Sequence, residues 1–354
     1  MTSATIRDLL ASAGRHEAFQ ELARALVRGQ EGPFTMEGLT PTAKALYLTL
    51  LWQTVERQLL VICEGSKPAE TLFELVETFF GLIVSGREDH RPQYLPALDV
   101  LPWQNLSPHS EISEKRAIAL YRMSAGAASI TIAPAGAALL RAEEPGFYRS
   151  LALELRTGDE IAIEDLLAHL SSIGYERREP VELRGEYSVR GGIVDVFPAE
   201  ATRPVRIEFF GDTVESLRAF DPQTQRSVLK ISATRLLPLL EAPRSPELLR
   251  AIGSPSGETY PGWELRVPGE RPRRATLASL LDKPVVVIDE PELSRAAAER
   301  MWIRIEEPGR ESPVELDKVY LRWGEFDAAL RPHTRVNLAG LVLALWAFAA
   351  FAYA

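Results

Sequence analysis

Arg206 and Phe210, in the run Val205-Arg-Ile-Glu-Phe-Phe-Gly-Asp212, have the types and spacing to hold a partner. Alternate residues of a strand point to opposite faces. Val205, Ile207 and Phe209 therefore share one face, and Arg206, Glu208 and Phe210 the other. The first set has the character of core. The second puts an aromatic ring beside a guanidinium, a combination that interface centres favour. The opposing reading folds Phe210 back into a second small core and leaves Arg206 solvated, since single apolar side chains are common on surfaces. Other candidates for chemistry are few. No pair of Cys or His residues has metal-ligand spacing, and the five histidines are scattered. His109, after Pro108, reads as a turn residue rather than a base. Glu111 and Glu114 suit the positive end of a helix and need no catalytic role. Cys63 closes the apolar run Leu59-Leu-Val-Ile-Cys63, which points to a buried, reduced thiol.

These residues must be positioned by elements that the 354-residue chain can build as two or three domains. Apolar residues make up 46% and charged residues 25%, ordinary values for a globular protein. The net charge of −9 argues against nucleic acid as the main partner. The first residues read as no secretory signal. Helical spacing covers residues 4–30, Leu39–Glu56 and Pro68–Leu82, with Leu59–Cys63 a short buried strand. Strand and helix then alternate: Tyr94–Val100, Ser113–Arg122, Ala128–Ala133 and Ala135–Arg141. That is the rhythm of a parallel sheet with helices on its faces. Near residue 150 the pattern changes. A helix over Asp165–Ile173 leads into alternating strands between Pro180 and Leu237, which suit an antiparallel sheet. A helix over Pro246–Ile252 precedes a Gly/Pro/Ser-rich stretch that reads as weakly structured. Pro284–Glu290 is a buried, parallel-type strand, and Leu293–Glu306 a helix.

Several segments carry a family resemblance. Gly185-Glu-Tyr-Ser-Val-Arg-Gly-Gly-Ile-Val-Asp-Val-Phe-Pro198, the segment Pro204–Pro222 with Gln225 and Arg226, and Leu101-Pro-Trp-Gln-Asn-Leu-Ser-Pro-His-Ser110 with Ser113-Glu-Lys-Arg116 resemble the UvrB-homology module at the N-terminus of the bacterial transcription-repair coupling factor, Mfd. The resemblance covers most of residues 40–335. It implies an α/β fold: a degenerate helicase-like parallel-sheet domain, interrupted by an inserted α+β domain of the kind that binds UvrA. The expected division is 1–148 for the first part of the helicase-like domain, 149–238 for the insert, 239–335 for the second part and 336–354 for an apolar tail. The insert is expected to be an autonomous unit. The UvrA-facing positions that the resemblance carries over are Arg190, Arg206 and Phe210.

The related UvrB is a helicase-like ATPase. Its phosphate-cradling loop ends in Gly-Lys-Ser/Thr, with backbone amides on the phosphates and the hydroxyl on magnesium. The equivalent turn here is Cys63-Glu-Gly-Ser-Lys-Pro-Ala-Glu-Thr71. Glu64 adds negative charge where phosphates would sit, and Pro68 removes an amide. Asp289-Glu290, after Val285-Val-Val-Ile288, resembles the magnesium-ordering acids of such ATPases, but is expected here to be two solvated carboxylates. The resemblance thus implies a recruiting module of nucleotide excision repair that brings UvrA to stalled RNA polymerase. It implies no cofactor in this chain. ATP, magnesium, RNA polymerase and double-stranded DNA are engaged elsewhere in the full-length family. A cytoplasmic location and no small-molecule substrate are expected. Two alternatives stand beside this: a UvrB-like ATP-dependent helicase component, and a membrane-tethered adaptor. Val336–Ala354 lacks charge, so it reads as a tail anchor, as the end of a truncated or aberrant product, or as an ordinary buried helix.

Overall fold

The computed structural model describes residues 3–340 except 31 and 308. Helices over Ser3–Ser12 and Glu17–Val27 precede strand β1 (Phe34–Met36). The helix Pro41–Val55 is opened by Thr40, whose hydroxyl accepts the Ala43 amide at 3.3 Å, and by Pro41, tolerated in a first turn. Then come β2 (Leu59–Cys63), the helix Ser66–Ile83, β3 (Gln93–Tyr94), the helix Ser110–Ser124 and β4 (Ile130–Pro134). The helix Pro145–Leu151 leads to β5 (Leu153–Arg156), and the helix Ile163–Ser172 to β6 (Glu176–Arg177), β7 (Glu186–Arg190), β8 (Ile193–Val196), β9 (Val205–Phe210), β10 (Thr213–Phe220), β11 (Ser227–Ile231) and β12 (Ala233–Leu236). Helices over Pro246–Ala251 and Trp263–Glu270 follow, then β13 (Val285–Asp289), helices over Pro291–Ile305 and Trp323–Leu330, and β14 (Thr334–Leu338).

One sheet has the order β1-β14-β13-β2-β4-β3, with every pairing parallel. Its central strands are unbroken apolar runs because helices cover both faces. Leu59, Val61, Val285 and Val287 pack on one side with Leu48, Leu51, Leu72 and Val76, whereas Leu60, Ile62, Val286 and Ile288 face the other. A second sheet has the order β11-β10-β9-β8-β7-β6, antiparallel except for β6 with β7. β5 and β12 pair antiparallel as a separate ribbon where the chain enters and leaves this unit. The mixed α/β architecture, a parallel sheet interrupted by an antiparallel α+β insert, is the one expected.

The insert does not bury its core alone. Val194, Val196, Val205, Ile207, Val214 and Leu217 from its sheet join Leu166 and Leu170, and the same cluster continues through Tyr148 and Leu151 to Leu120 and Met123 of the helix Ser110–Ser124. Polar contacts cross the junction too: Arg122 Nη2 donates to the Glu200 carboxylate at 2.7 Å, and Arg244 Nε to the Ser171 carbonyl at 2.9 Å. Others brace each side separately. Arg116 is fully buried and donates from Nε and Nη2 to the Glu241 carboxylate at 2.5 and 3.3 Å, and from Nη1 to the Pro96 carbonyl at 2.6 Å. The Tyr175 hydroxyl donates to the Leu237 carbonyl at 3.1 Å and accepts the Ala199 amide at 3.3 Å. The expectation of an autonomous insert therefore meets a hydrophobic core that crosses its boundary.

Three further readings change. The strand expected over Tyr94–Val100 shortens to Gln93–Tyr94, because Pro96 has no amide to continue the ladder. The stretch after Ile252 is anchored rather than loose: Ser254 Oγ donates to the Glu258 carbonyl at 2.6 Å, the Tyr260 hydroxyl to the Ile252 carbonyl, and Trp263 is buried with Leu249 and Val267. Val336 and Leu338 are not tail. They are buried in β14, between β1 and β13, so the sheet runs past the boundary drawn at 335. The rest of the apolar segment, residues 341–354, lies outside the described residues. Among the described residues no helix is long and apolar enough to cross a membrane.

Candidate interaction site

β7 and β8 are joined by the two-residue hairpin Gly191-Gly192, which pairs Arg190 with Ile193. Gly191 takes φ +59°, open to glycine at little cost. A Cβ on Gly192 would meet the Phe209 carbonyl oxygen at 3.1 Å, so the bare backbone lets the hairpin lie close to β9. Asp195 faces Arg206 and Ile193 faces Glu208 across β8 and β9; Arg218 and Ser216 continue the same two rows on β10. Paired residues share a face. The outer face therefore carries one row of Ser188, Asp195, Arg206 and Arg218, and a second of Arg190, Ile193, Glu208 and Ser216. Phe210 lies beyond Glu208 on this face, at the end of β9.

The predicted trio comes to this one face, in three different states. Phe210 is 79% exposed, with Ile193, also exposed, as its diagonal neighbour. Arg190 is exposed and pairs with Glu179 at 2.9 Å, a contact that water weakens. Arg206 is half-buried. Its Nε and Nη2 donate to the two Asp195 oxygens at 2.8 Å each, and its guanidinium lies 5.0 Å from the ring of buried Phe220. The fork hydrogen bonds to Asp195 hold the Arg206 pKa above its ordinary value against the cost of burial. Truncating Arg206 would therefore touch the fold as well as the surface. Asp195 is only 4% exposed and has Arg206 as its counter-ion. The opposing reading of this strand fails on both counts: Phe210 does not fold back, and Arg206 is not merely solvated. Phe220 and Phe197 form the small second core instead, with Val181.

The other place where chemistry was sought is the carboxyl end of β2 and β13, adjacent parallel strands. A turn of Glu64 and Gly65 links β2 to the helix Ser66–Ile83, and Pro68 falls in its first turn. The acids at the end of β13 are not solvated, contrary to expectation. Lys44, 5% exposed, donates from Nζ to Asp289 Oδ1 and Glu290 Oε1, both at 2.6 Å. Burial opposes the charge on Lys44, but the hydrogen bonds and attraction of the two carboxylates outweigh it and raise its pKa. Burial, with Glu290 and Glu64 nearby, pushes the Asp289 carboxyl up despite Lys44. These residues do not fit a magnesium–phosphate cradle: the acids already hold a cation, and the turn is short, acidic and proline-bearing. Sequence reasoning missed Lys44. Its only signal was that Lys44, between Ala43 and Ala45, is the single charged residue of the helix Pro41–Val55. Cys63 is buried, as expected, and burial pushes its thiol pKa far up.

Comparison with known proteins bears on the same region. Residues 153–241 match the family described as UvrB interaction domain. The chain is thus a parallel α/β sheet interrupted by a unit similar to a UvrB interaction domain. Its relatives are the transcription-repair-coupling factors and UvrABC system protein B. The chain is 33% identical over 165 residues to the coupling factor of Haemophilus influenzae, covering 47% of this chain and 14% of that protein. Against the coupling factor of Myxococcus xanthus it is 29% identical over 300 residues, 76% of this chain and 25% of the relative. Against UvrABC system protein B of Thermosipho africanus it is 27% identical over 240 residues, 66% and 36% of the two. The chain therefore spans between 14% and 36% of the length of these relatives.

Proposed function

We propose that this chain is a recruiting module of nucleotide excision repair: it binds UvrA through the outer face of the insert and has no motor of its own. The observation that supports this best is Phe210, 79% exposed with Ile193 as its exposed diagonal neighbour, inside the stretch that matches a UvrB interaction domain. A large exposed ring on a strand is a suitable anchor, because few rotatable bonds are frozen when it is buried. Set in a coupling factor, the module brings UvrA to RNA polymerase stalled on damaged double-stranded DNA, with the polymerase and DNA engaged by other parts of that protein. The reading includes no bound ATP or magnesium and a place in the cytoplasm. The alternative, a UvrB-like ATP-dependent helicase component, is disfavoured by Lys44 on Asp289 and Glu290. Titration of the full chain with purified UvrA tests the reading: saturable binding is expected, and its absence contradicts it. ATP turnover above a buffer blank, with or without DNA, contradicts the motor-free part.

A further inference from the structure

The buried cluster at the end of β13 joins parts of the chain that are far apart in sequence. Lys44 comes from the helix Pro41–Val55, Asp289 ends β13, and Glu290 caps the helix Pro291–Ile305 in a left-handed conformation, φ +47°. Glu290 Oε1 also accepts the Gly340 amide at 2.6 Å, so the segment after β14 is tied to the same point. An ammonium carries three N–H groups and no acceptor. Two of them are spent on carboxylate oxygens. One positive charge thus sits among Asp289, Glu290 and, more distantly, Glu64, which leaves the cluster with an excess of negative charge at its centre. Carboxylate pairs at the end of such a strand, beside the turn after β2, are hard oxygen donors suited to a small divalent cation.

We infer that Lys44 is a built-in counter-ion, occupying the place of a divalent cation between Asp289 and Glu290, so that the helicase-like sheet is held closed without metal or nucleotide. A free cation would leave by dilution, whereas a tethered ammonium is always present. The helix Pro41–Val55, β13 and the end of β14 are then tied together at one point. Removing the lysine would leave both acids without their counter-ion, and removing both acids would strand the buried lysine.

Thermal melts of the full chain, with and without millimolar Mn2+ or Mg2+ at matched ionic strength, test this on three proteins. The wild type should melt alike in both conditions. Lys44→Met should melt on the order of 10 °C lower without divalent cation, and recover most of that loss with it. A triple variant, Lys44→Met with Asp289→Asn and Glu290→Gln, should regain stability and show no response to divalent cation. If Lys44→Met does not stay soluble, its refolding yield from urea with and without Mg2+ replaces the melt. The inference is overturned if Lys44→Met melts like wild type, or if its loss is indifferent to divalent cation. It is equally overturned if the response persists in the triple variant, or if the wild type itself is stabilised by divalent cation in an Asp289-dependent way.

Discussion

At the scale of single residues, Arg206 and Phe210 stand four positions apart on one strand and should answer to mutation in opposite ways. Phe210 buries almost nothing within the chain, so Phe210→Ala should leave the melting temperature unchanged within about a degree. Arg206→Ala removes the counter-ion of a buried carboxylate and the cation over Phe220. Arg206 is itself about one-fifth exposed, so water discounts the full cost of stripping a buried pair. A loss of about 2 kcal/mol is expected, a fall in melting temperature on the order of 5 °C. The double change Arg206→Ala with Asp195→Asn should recover part of it, because no uncompensated charge remains. A melt of Arg206→Ala indistinguishable from wild type would show that the Asp195 pairing contributes nothing. Weakened partner binding by Arg206→Ala is therefore read only after its fold has been measured.

Among the elements, the helix Ser110–Ser124 and the segment after β12 meet at Arg116 and Glu241, and this junction should be sensitive to acid. Burial alone would raise the Glu241 carboxyl, but the charge and hydrogen bonds of Arg116, with Arg273 beyond, outweigh it and hold the group below its ordinary value of 4.5. A carboxyl depressed in the folded state gives stability that is present above the unfolded value and is lost as pH falls through the folded value. Wild type should therefore lose melting temperature as pH drops below 4.5, more steeply than Glu241→Gln, which starts lower at neutral pH and has no such group to titrate. Parallel melting curves for the two proteins across that window would contradict the assignment. The elements themselves were largely legible. Continuous apolar runs announced β2, β4 and β13, and parity along Val205–Phe210 correctly separated Val205 and Ile207 from Arg206, Glu208 and Phe210. What spacing could not show is where a polar side chain finds its partner. The Asp195–Arg206 and Lys44–Asp289 pairs depend on strand register and on contacts between segments up to 245 residues apart.

Across the whole molecule, the helicase-like sheet and the insert are separate in topology but share one hydrophobic core through Tyr148, Leu151 and Leu120. The two sheets are thus packed on a common core, which the change of strand pattern near residue 150 does not reveal. The central claim is that the insert presents Phe210 to UvrA. The most direct measurement is calorimetric titration of UvrA with wild type, Phe210→Ala and Phe209→Ala, each with its own thermal melt. Phe209 points to the inner face and is partly buried against the core, so its truncation should cost about 2 kcal/mol of stability and spare the contact surface. Phe210→Ala should keep the wild-type melt and bind UvrA about thirtyfold more weakly, as expected for an interface anchor worth roughly 2 kcal/mol. Phe210→Ala that binds like wild type, with the fold intact, would contradict the account.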